Sequence, residues 1–443
     1  MARRDRSEPA GPAPRVGLAL AGGGPQGAVY EIGALRALEE AVDGLDLGGL
    51  HVYVGLSAGA FIAANLVNGL TMRQMCRAIV KHEPGEHPFV PETFFTLARS
   101  ELGKRVLSVP RLLVEAVDDY VRNRRDVTLR EALTRLSRAL PVGVFDNEPI
   151  RAYLEKIYSL KGRTDDFRKL RRKLVVVAAD LDSGQAVRFG EPPFDAVPIS
   201  TAVQASGALP GVYPPVVIGG RHYVDGVLLK TLHGSVALES GAKLLICLNP
   251  FVPVDTTTAV ERGVMRRGKL IDRGLVSVLS QSVRTLVHSR LEVGLASYYE
   301  RFEGVDLMLI EPSRDDYRMF FTNIFSFAQR RAVCEHAYDT TRRQLLERYD
   351  EWAPMLARHG LSLDRAVLEQ ERDLWAGVEL PPPPASGRRG RAATAVLDEL
   401  SGVLDRLDAL LAAPEPESEP APESAAPVLP FGTRRQERGR KTA

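Results

Sequence analysis

The sequence predicts an α/β protein with three layers, in which helices cover both faces of a mainly parallel central sheet and a helical extension follows. Short apolar runs alternate with helical patterns between Val16 and about Asn249, and such alternation is typical of a parallel sheet that is covered on both faces. A glycine-rich turn also follows each of the first two apolar runs, as expected where a strand leads into a helix.

The individual elements follow from periodicity and turn residues. A helix is predicted over AVYEIGALRALEEAV, because Val29, Ile32, Leu35 and Leu38 fall on one helical face. A second helix is predicted over SAGAFIAANLVNG, and LDSG (181–184) indicates a hairpin turn. The predicted strands are residues 16–20, 51–55, 173–180, 186–190, 215–220, 221–226 and 243–250.

Composition divides the chain into consecutive parts. Residues 1–14 are predicted to be a disordered leader, because they are basic and rich in proline and alanine. Residues 15–250 are predicted to form the α/β domain, with a helical cap or insertion at about 70–165. Residues 251–378 are predicted to be a helical extension that packs on this core.

The composition changes again near Pro381. Residues 379–443 are predicted to contain a Pro-rich linker, one amphipathic helix at about 391–413 and a disordered tail. The apolar stripe of that helix could pair with another subunit, lie on a membrane or dock back on the body of the protein. Self-association is the preferred alternative, so the chain is a candidate homo-oligomer through this helix. The Asp-rich polar face of the helix argues against contact with anionic lipid.

Charge and cysteine content exclude several classes of protein. With 58 basic and 56 acidic residues the net charge is +2, so nucleic acid is not an expected partner. The three cysteines, Cys76, Cys247 and Cys334, are far apart in sequence, which argues against disulfide bonds and a zinc site. No apolar run has the length of a membrane span. We therefore expect a cytoplasmic protein whose membrane contact, if any, is peripheral.

The first glycine turn allows two interpretations. Gly22, Gly24 and Gly27 satisfy the G-x-G-x-x-G pattern of dinucleotide-binding folds. That pattern needs an acidic residue at the end of the next strand, however, and there the sequence has Gly55-Leu56-Ser57. The alternative is a loop whose backbone N–H groups converge on a negative charge at a helix N-terminus.

The second glycine turn is a G-x-S-x-G motif, Gly55-Leu56-Ser57-Ala58-Gly59. Between an apolar strand and an apolar helix, this motif predicts a sharp turn that exposes the serine hydroxyl as a nucleophile. A nucleophilic serine needs a base. Either Asp225 acts with His233 in a triad, or Asp225 alone accepts the serine proton. The early position of the motif disfavours the triad of α/β-hydrolases, and so does the position of His233 only eight residues after Asp225.

Taken together, the motifs resemble those of the patatin-like phospholipase family over about residues 15–250. The resemblance implies the FabD-lysophospholipase-like fold, a catalytic dyad of Ser57 and Asp225, and an oxyanion hole at Gly22, Gly23 and Gly24. It also implies hydrolysis of phospholipid or lysophospholipid acyl esters without a metal or cofactor. The matching blocks are Gly22 to Gly27, Gly55 to Gly59, Ala205 to Pro210, and Asp225-Gly226, with Gly27, Gly55, Gly59 and Gly226 as supporting glycines.

Two residues depart from the family pattern. Gln26 stands where the family usually has Arg or Lys, and Val227 stands where it usually has Gly or Ala. The first change removes a cation beside the oxyanion loop, and the second adds bulk beside the base. Aromatic residues in segments 84–115 and 320–327 are either core contacts or a port that admits an acyl chain.

Overall fold

The computed structural model describes residues 15–81, 96, 98, 141–230, 232–263, 269–272, 274–317, 319, 327–375 and 378. The predicted leader, most of the cap, residues 320–326 and the predicted helix at 391–413 lie outside the described residues.

A mixed sheet of eight strands forms the centre of the described residues. Its strands are β1 (Val16–Leu20), β3 (Val52–Leu56), β4 (Lys173–Asp180), β5 (Ala186–Phe189), β6 (Val216–Ile218), β7 (Arg221–Asp225), β8 (Leu244–Leu248) and β9 (Asp306–Ile310). Their order in the sheet is β6-β7-β4-β3-β1-β8-β9, with β5 beside β4. The pairs β4-β3, β3-β1, β1-β8 and β8-β9 are parallel, whereas β5, β7 and β6 add antiparallel pairs at one side. A separate antiparallel pair joins β2 (Val42–Asp43) to β10 (Ser362–Leu363).

The described α-helices connect or follow these strands. They are α1 (Gly24–Ala41), α2 (Ala58–Val67), α3 (Met72–Met75), α4 (Glu148–Tyr158), α5 (Ile199–Ser206), α6 (Gly234–Glu239), α7 (Thr256–Glu261), α8 (Lys269–Asp272), α9 (Leu275–Arg301), α10 (Phe327–Glu347), α11 (Tyr349–Arg358) and α12 (Arg365–Glu369). Within the described ranges, no helix combines the length and the apolar character that crossing a bilayer requires.

The predicted three-layer α/β/α architecture is confirmed, because the sheet separates two apolar clusters. Alternate residues of a strand point to opposite faces, so Leu18 and Leu20 of β1 join one cluster and Ala19 joins the other. The first cluster includes α1, α2 and α10, and the second includes α6 and the inner face of α9. Helix α10 approaches α1 closely at Gly33, where a Cβ atom would lie 2.3 Å from the Cys334 carbonyl oxygen.

A strand of the central sheet lies in the segment 251–378, for which the sequence predicts helices. Residues Asp306–Ile310 form β9, which pairs in parallel with β8 and completes that side of the sheet. The segment is short and is preceded and followed by long helices. Local periodicity therefore did not separate it from them.

The register of three strands brings two distant parts of the chain together. Leu56 of β3 pairs with Val177 of β4, and Ala178 of β4 pairs with Asp225 of β7. Ser57 therefore follows β3 at the level of Asp225. Because β7 is antiparallel to β4, the two residues do not follow strands of the same direction, and it is the register that brings them close.

Candidate active site

Ser57 occupies a strained turn between β3 and α2. Its φ of 53° and ψ of −120° make it the one non-glycine residue with positive φ among the described residues, a conformation that costs a side-chain-bearing residue free energy. Glycines surround it because backbones meet there. A Cβ atom would lie 2.5 Å from the Ala60 Cα atom at Gly55, and 2.5 Å from the Leu20 carbonyl carbon at Gly59. The strain and the close packing hold the serine at the end of the strand.

Asp225 is a buried carboxyl beside this serine. Its side chain accepts a hydrogen bond from the Val227 N–H at 2.9 Å and interacts with the Ser57 hydroxyl. Burial raises the pKa of Asp225 to about 6, although the hydrogen bonds with Ser57 and Val227 act in the opposite direction. Gly226 keeps the chain close to β4, since a Cβ atom there would lie 3.1 Å from the Val177 carbonyl oxygen.

The glycine loop lies against the same serine. A Cβ atom on Gly22 would be 3.2 Å from the Ser57 Cβ atom, and Gly23 and Gly24 lead into α1. The N–H groups of Gly22 and Gly23 have no acceptor among the described residues. Gly27 closes the first turn of α1 through its N–H bond to the Gly23 carbonyl at 3.0 Å. Free backbone donors at the N-terminus of α1 thus lie in the loop that contacts Ser57, an arrangement that can stabilise negative charge.

Ser206 and Ala208 connect the nucleophile to the base. The Ser57 N–H donates to Ser206 Oγ at 2.8 Å, and that hydroxyl donates to the Val177 carbonyl at 2.6 Å. Two residues further on, the Ala208 carbonyl accepts a bond from the Asp225 N–H at 3.0 Å. The sequence marked this segment as a motif without assigning it a role. Its position suggests that it fixes the backbones of both candidate catalytic residues.

The family model for patatin-like phospholipases matches residues 18–232, a range that contains the glycine loop, Ser57 and Asp225. Residues 18–232 are a patatin-like phospholipase domain. One similar solved structure is VipD from Legionella pneumophila, with a TM-score of 0.36 and 15% identity over 75% of this chain and 67% of that chain. Another is the type III effector protein ExoU of Pseudomonas aeruginosa, with a TM-score of 0.32 and 18% identity over 81% of this chain and 58% of that chain. Human GIVD cytosolic phospholipase A2 has a TM-score of 0.24 and 14% identity over 57% and 44%.

A cavity in the patatin-like phospholipase domain opens beside Ser57. Its described walls enclose about 50 Å³, which is space for one or two water-sized groups. A larger cavity of about 630 Å³ lies among charged side chains near Arg342 and shares no residue with the smaller one. The smaller cavity has a mostly apolar wall with two amides, Asn147 and Gln204. The apolar wall consists of Pro25, Ala28, Phe61, Ile150, Val203 and Tyr213.

The two departures from the family pattern have defined positions in the domain. Gln26 donates a hydrogen bond from Nε2 to the Met319 carbonyl, so an uncharged side chain anchors the first turn of α1 to a segment beyond β9. Val227 is buried, and its Cγ2 atom would lie 3.6 Å from a Cβ atom at Gly22. Val227 therefore fills the space between the glycine loop and Asp225, which helps to keep water away from the carboxyl.

His233 is not brought into a triad. Burial, followed by repulsion from Lys230 and Arg188, lowers its pKa to about 4, and its hydrogen-bonding partner is the Gly226 backbone. Its Nε2 atom has no partner within the part of the chain that the structure describes. A neutral imidazole held by Gly226 does not orient or deprotonate Ser57 in this arrangement. Nor do three or more His, Cys, Asp or Glu side chains converge among the described residues as a metal site would require.

Proposed function

We propose that this protein is a serine lipid acyl hydrolase in which Ser57 and Asp225 form a catalytic dyad. The observation that carries the proposal is the strained Ser57, whose hydroxyl interacts with a buried carboxyl beside free backbone donors. A patatin-like phospholipase domain over residues 18–232 supports lipid ester hydrolysis.

The dyad gives a two-step reaction. Ser57 Oγ attacks the ester carbonyl carbon while Asp225 accepts the hydroxyl proton, and the tetrahedral intermediate expels the alcohol, which takes the proton back. A water molecule then attacks the acyl-enzyme, again with Asp225 as base, and releases the fatty acid. Metals and redox cofactors have no part in these steps.

The glycine loop supplies stabilisation of the intermediate. The N–H groups of Gly22, Gly23 and Gly24 are proposed to donate to the oxyanion, and removal of one such donor typically costs about 3 kcal/mol of transition-state stabilisation. Because these donors belong to the backbone of a packed loop, they need no reorganisation during the reaction.

The environment of Asp225 suits a base at neutral pH. With a pKa of about 6, the carboxyl is mostly ionised at pH 7, yet it binds a proton far more tightly than a solvated aspartate does. Burial is the main cause of this shift, so the apolar packing around Asp225 is part of the proposed chemistry.

The substrate class follows from the cavity and the family. The apolar side chains beside Ser57 offer a surface on which the first carbons of an acyl chain can pack, as expected for phospholipids or lysophospholipids. A non-lipid carboxylesterase or an acyltransferase with the same dyad is the alternative. Peripheral membrane contact, a cytoplasmic location and self-association through residues 391–413 remain predictions.

Labelling with a fluorophosphonate, followed by hydrolysis assays, tests the dyad. We expect covalent labelling of Ser57 and loss of lysophosphatidylcholine hydrolysis in Ser57→Ala and Asp225→Asn, whereas His233→Gln retains activity. Asp182→Asn and Ser183→Ala are matched controls, because both residues are exposed on the turn after β4. Labelling at another residue, or wild-type turnover in both dyad variants, would refute the proposed dyad.

A further inference from the structure

Gln204 is a buried amide in the wall of the Ser57 cavity. It lies on α5, two residues before Ser206, and its exposed fraction is 8%. No motif in the sequence assigns a role to this residue. Since most of the cavity wall is apolar, a polar side chain there has a large influence on which molecules the cavity accepts.

Hydrogen bonds to α4 and its N-cap fix the orientation of this amide. Gln204 Nε2 donates to Asn147 Oδ1 at 3.1 Å and to Glu148 Oε2 at 3.0 Å. Asn147 Nδ2 in turn donates to the Gln204 carbonyl at 3.1 Å, which leaves Asn147 Oδ1 facing Gln204. Hydrogen bonding by Arg151, together with that from Gln204, lowers the pKa of Glu148, so its carboxylate is ionised and only accepts.

The oxygen of Gln204 is consequently the part of the amide that is left for a ligand. Both hydrogens on Nε2 are used, and no donor to Oε1 is found among the described residues. An amide oxygen without a donor from the protein, in a residue that lines a mostly apolar cavity, can accept a hydrogen bond from the O–H or N–H group of a bound molecule.

We propose that Gln204 is a specificity-determining residue that selects acyl esters with a hydroxyl group close to the scissile ester. Its Oε1 atom accepts a hydrogen bond from that hydroxyl, as a monoacyl glycerolipid provides and a fully acylated lipid does not. This inference rests on the proposed function, because it assumes that Ser57 attacks an ester whose neighbouring hydroxyl group reaches this cavity.

A pair of substrates tests the inference in the wild-type protein. One is octanoyl lysophosphatidylcholine, and the other is its analogue in which propanediol replaces glycerol, so that only the free hydroxyl is missing. We expect kcat/KM to be about tenfold higher for the hydroxylated compound, as one hydrogen bond that the analogue cannot make predicts. Equal values for the two compounds would overturn the inference while leaving the dyad intact.

Variants assign the effect to Gln204. In Gln204→Met, kcat/KM for the hydroxylated compound should fall about tenfold, and that for the analogue should stay within about twofold. An equal fall for both compounds would mean that Gln204 holds the cavity or the hydrolytic water instead. Gln185→Met, on the exposed turn between β4 and β5, is the control and should change neither value.

Two further measurements keep the test decisive. Fluorophosphonate labelling of Ser57 at the wild-type rate shows that Gln204→Met is correctly folded. If this variant does not fold, Gln204→Asn replaces it, because asparagine shortens the side chain by one methylene. Gln204→Asn should reduce the preference for the hydroxylated compound, and an unchanged preference would overturn the inference. If the folded wild-type protein hydrolyses neither compound and is not labelled, the proposed function itself fails.

Discussion

Replacement of Asp225 by asparagine should remove activity and, at neutral pH, increase stability. The carboxyl is 3% exposed and its pKa is raised from 3.8 to about 6, so burial disfavours the ionised form in the folded protein. The amide introduced by Asp225→Asn keeps an oxygen that can accept the Val227 N–H bond, but it carries no charge to desolvate. Loss of the proposed base should prevent deprotonation of Ser57.

The size of the stability increase in Asp225→Asn, and its dependence on pH, follow from the linkage between proton binding and folding. The pKa of Asp225 is higher in the folded protein than in the unfolded chain. Protonation of this carboxyl therefore stabilises the folded wild-type protein fully below about pH 4, and the stabilisation is lost as the pH rises through 6. The full shift corresponds to about 3 kcal/mol. We therefore expect Asp225→Asn to be more stable than the wild-type protein by about 3 kcal/mol at pH 8 and by about 2 kcal/mol at pH 5.

The activity of the wild-type protein should rise with pH, whereas the contribution of Asp225 to its stability falls. The base works only when it is ionised, so kcat/KM should rise with an apparent pKa of about 6 and at pH 5 should be about a tenth of its plateau. Urea unfolding of both proteins at pH 5 and pH 8, together with wild-type kinetics over the same range, measures both effects. An equal stability difference at the two pH values, or a flat kinetic profile, would refute the reasoning.

Three other changes test the packing around the site. Ser57→Gly should raise the free energy of unfolding by about 1 kcal/mol, because the positive φ of Ser57 is relieved; Ser57→Ala retains the strain, and equal stability of these two variants in urea would contradict this. Ser206→Ala should destabilise the fold by about 2 kcal/mol and lower kcat about tenfold, because two buried hydrogen bonds are lost. Unchanged kinetics of ester hydrolysis in this variant would show that Ser206 does not position the nucleophile. Gly59→Ala should destabilise the fold by more than about 3 kcal/mol, since its Cβ atom would lie 2.5 Å from the Leu20 carbonyl carbon. Gly294→Ala meets open space within α9 and should instead stabilise the fold by about 1 kcal/mol. Similar thermal unfolding of the two variants would be inconsistent with this packing.

The sequence predicted the strands well because the signals were local. Continuous apolar runs such as residues 173–180 end at turn residues, and the structure has β4 at the same bounds. It did not predict β9, since a five-residue strand between long helices has no pattern of its own. Only pairing with β8 makes that segment a strand.

The candidate site divides in the same way. The strained turn at Ser57 could be expected from the flanking Gly55 and Gly59, since only small residues fit where the backbones meet. The contributions of Ser206 and Gln204 could not be predicted, because each acts through partners far away in sequence. For Gln204 the decisive fact is the direction of one amide, which depends on α4 and its N-cap.

What the sequence by itself determined is therefore the set of candidate catalytic groups: a serine in a glycine turn, an aspartate before a glycine, and a glycine-rich loop before a helix. Those features depend on neighbouring residues, so they can be read locally. The tertiary structure decided which groups meet and in what state. Strand register placed Asp225 beside Ser57, and burial raised the pKa of its carboxyl to about 6. The same burial left His233 neutral and bonded to the Gly226 backbone, because desolvation depends on packing from the whole domain.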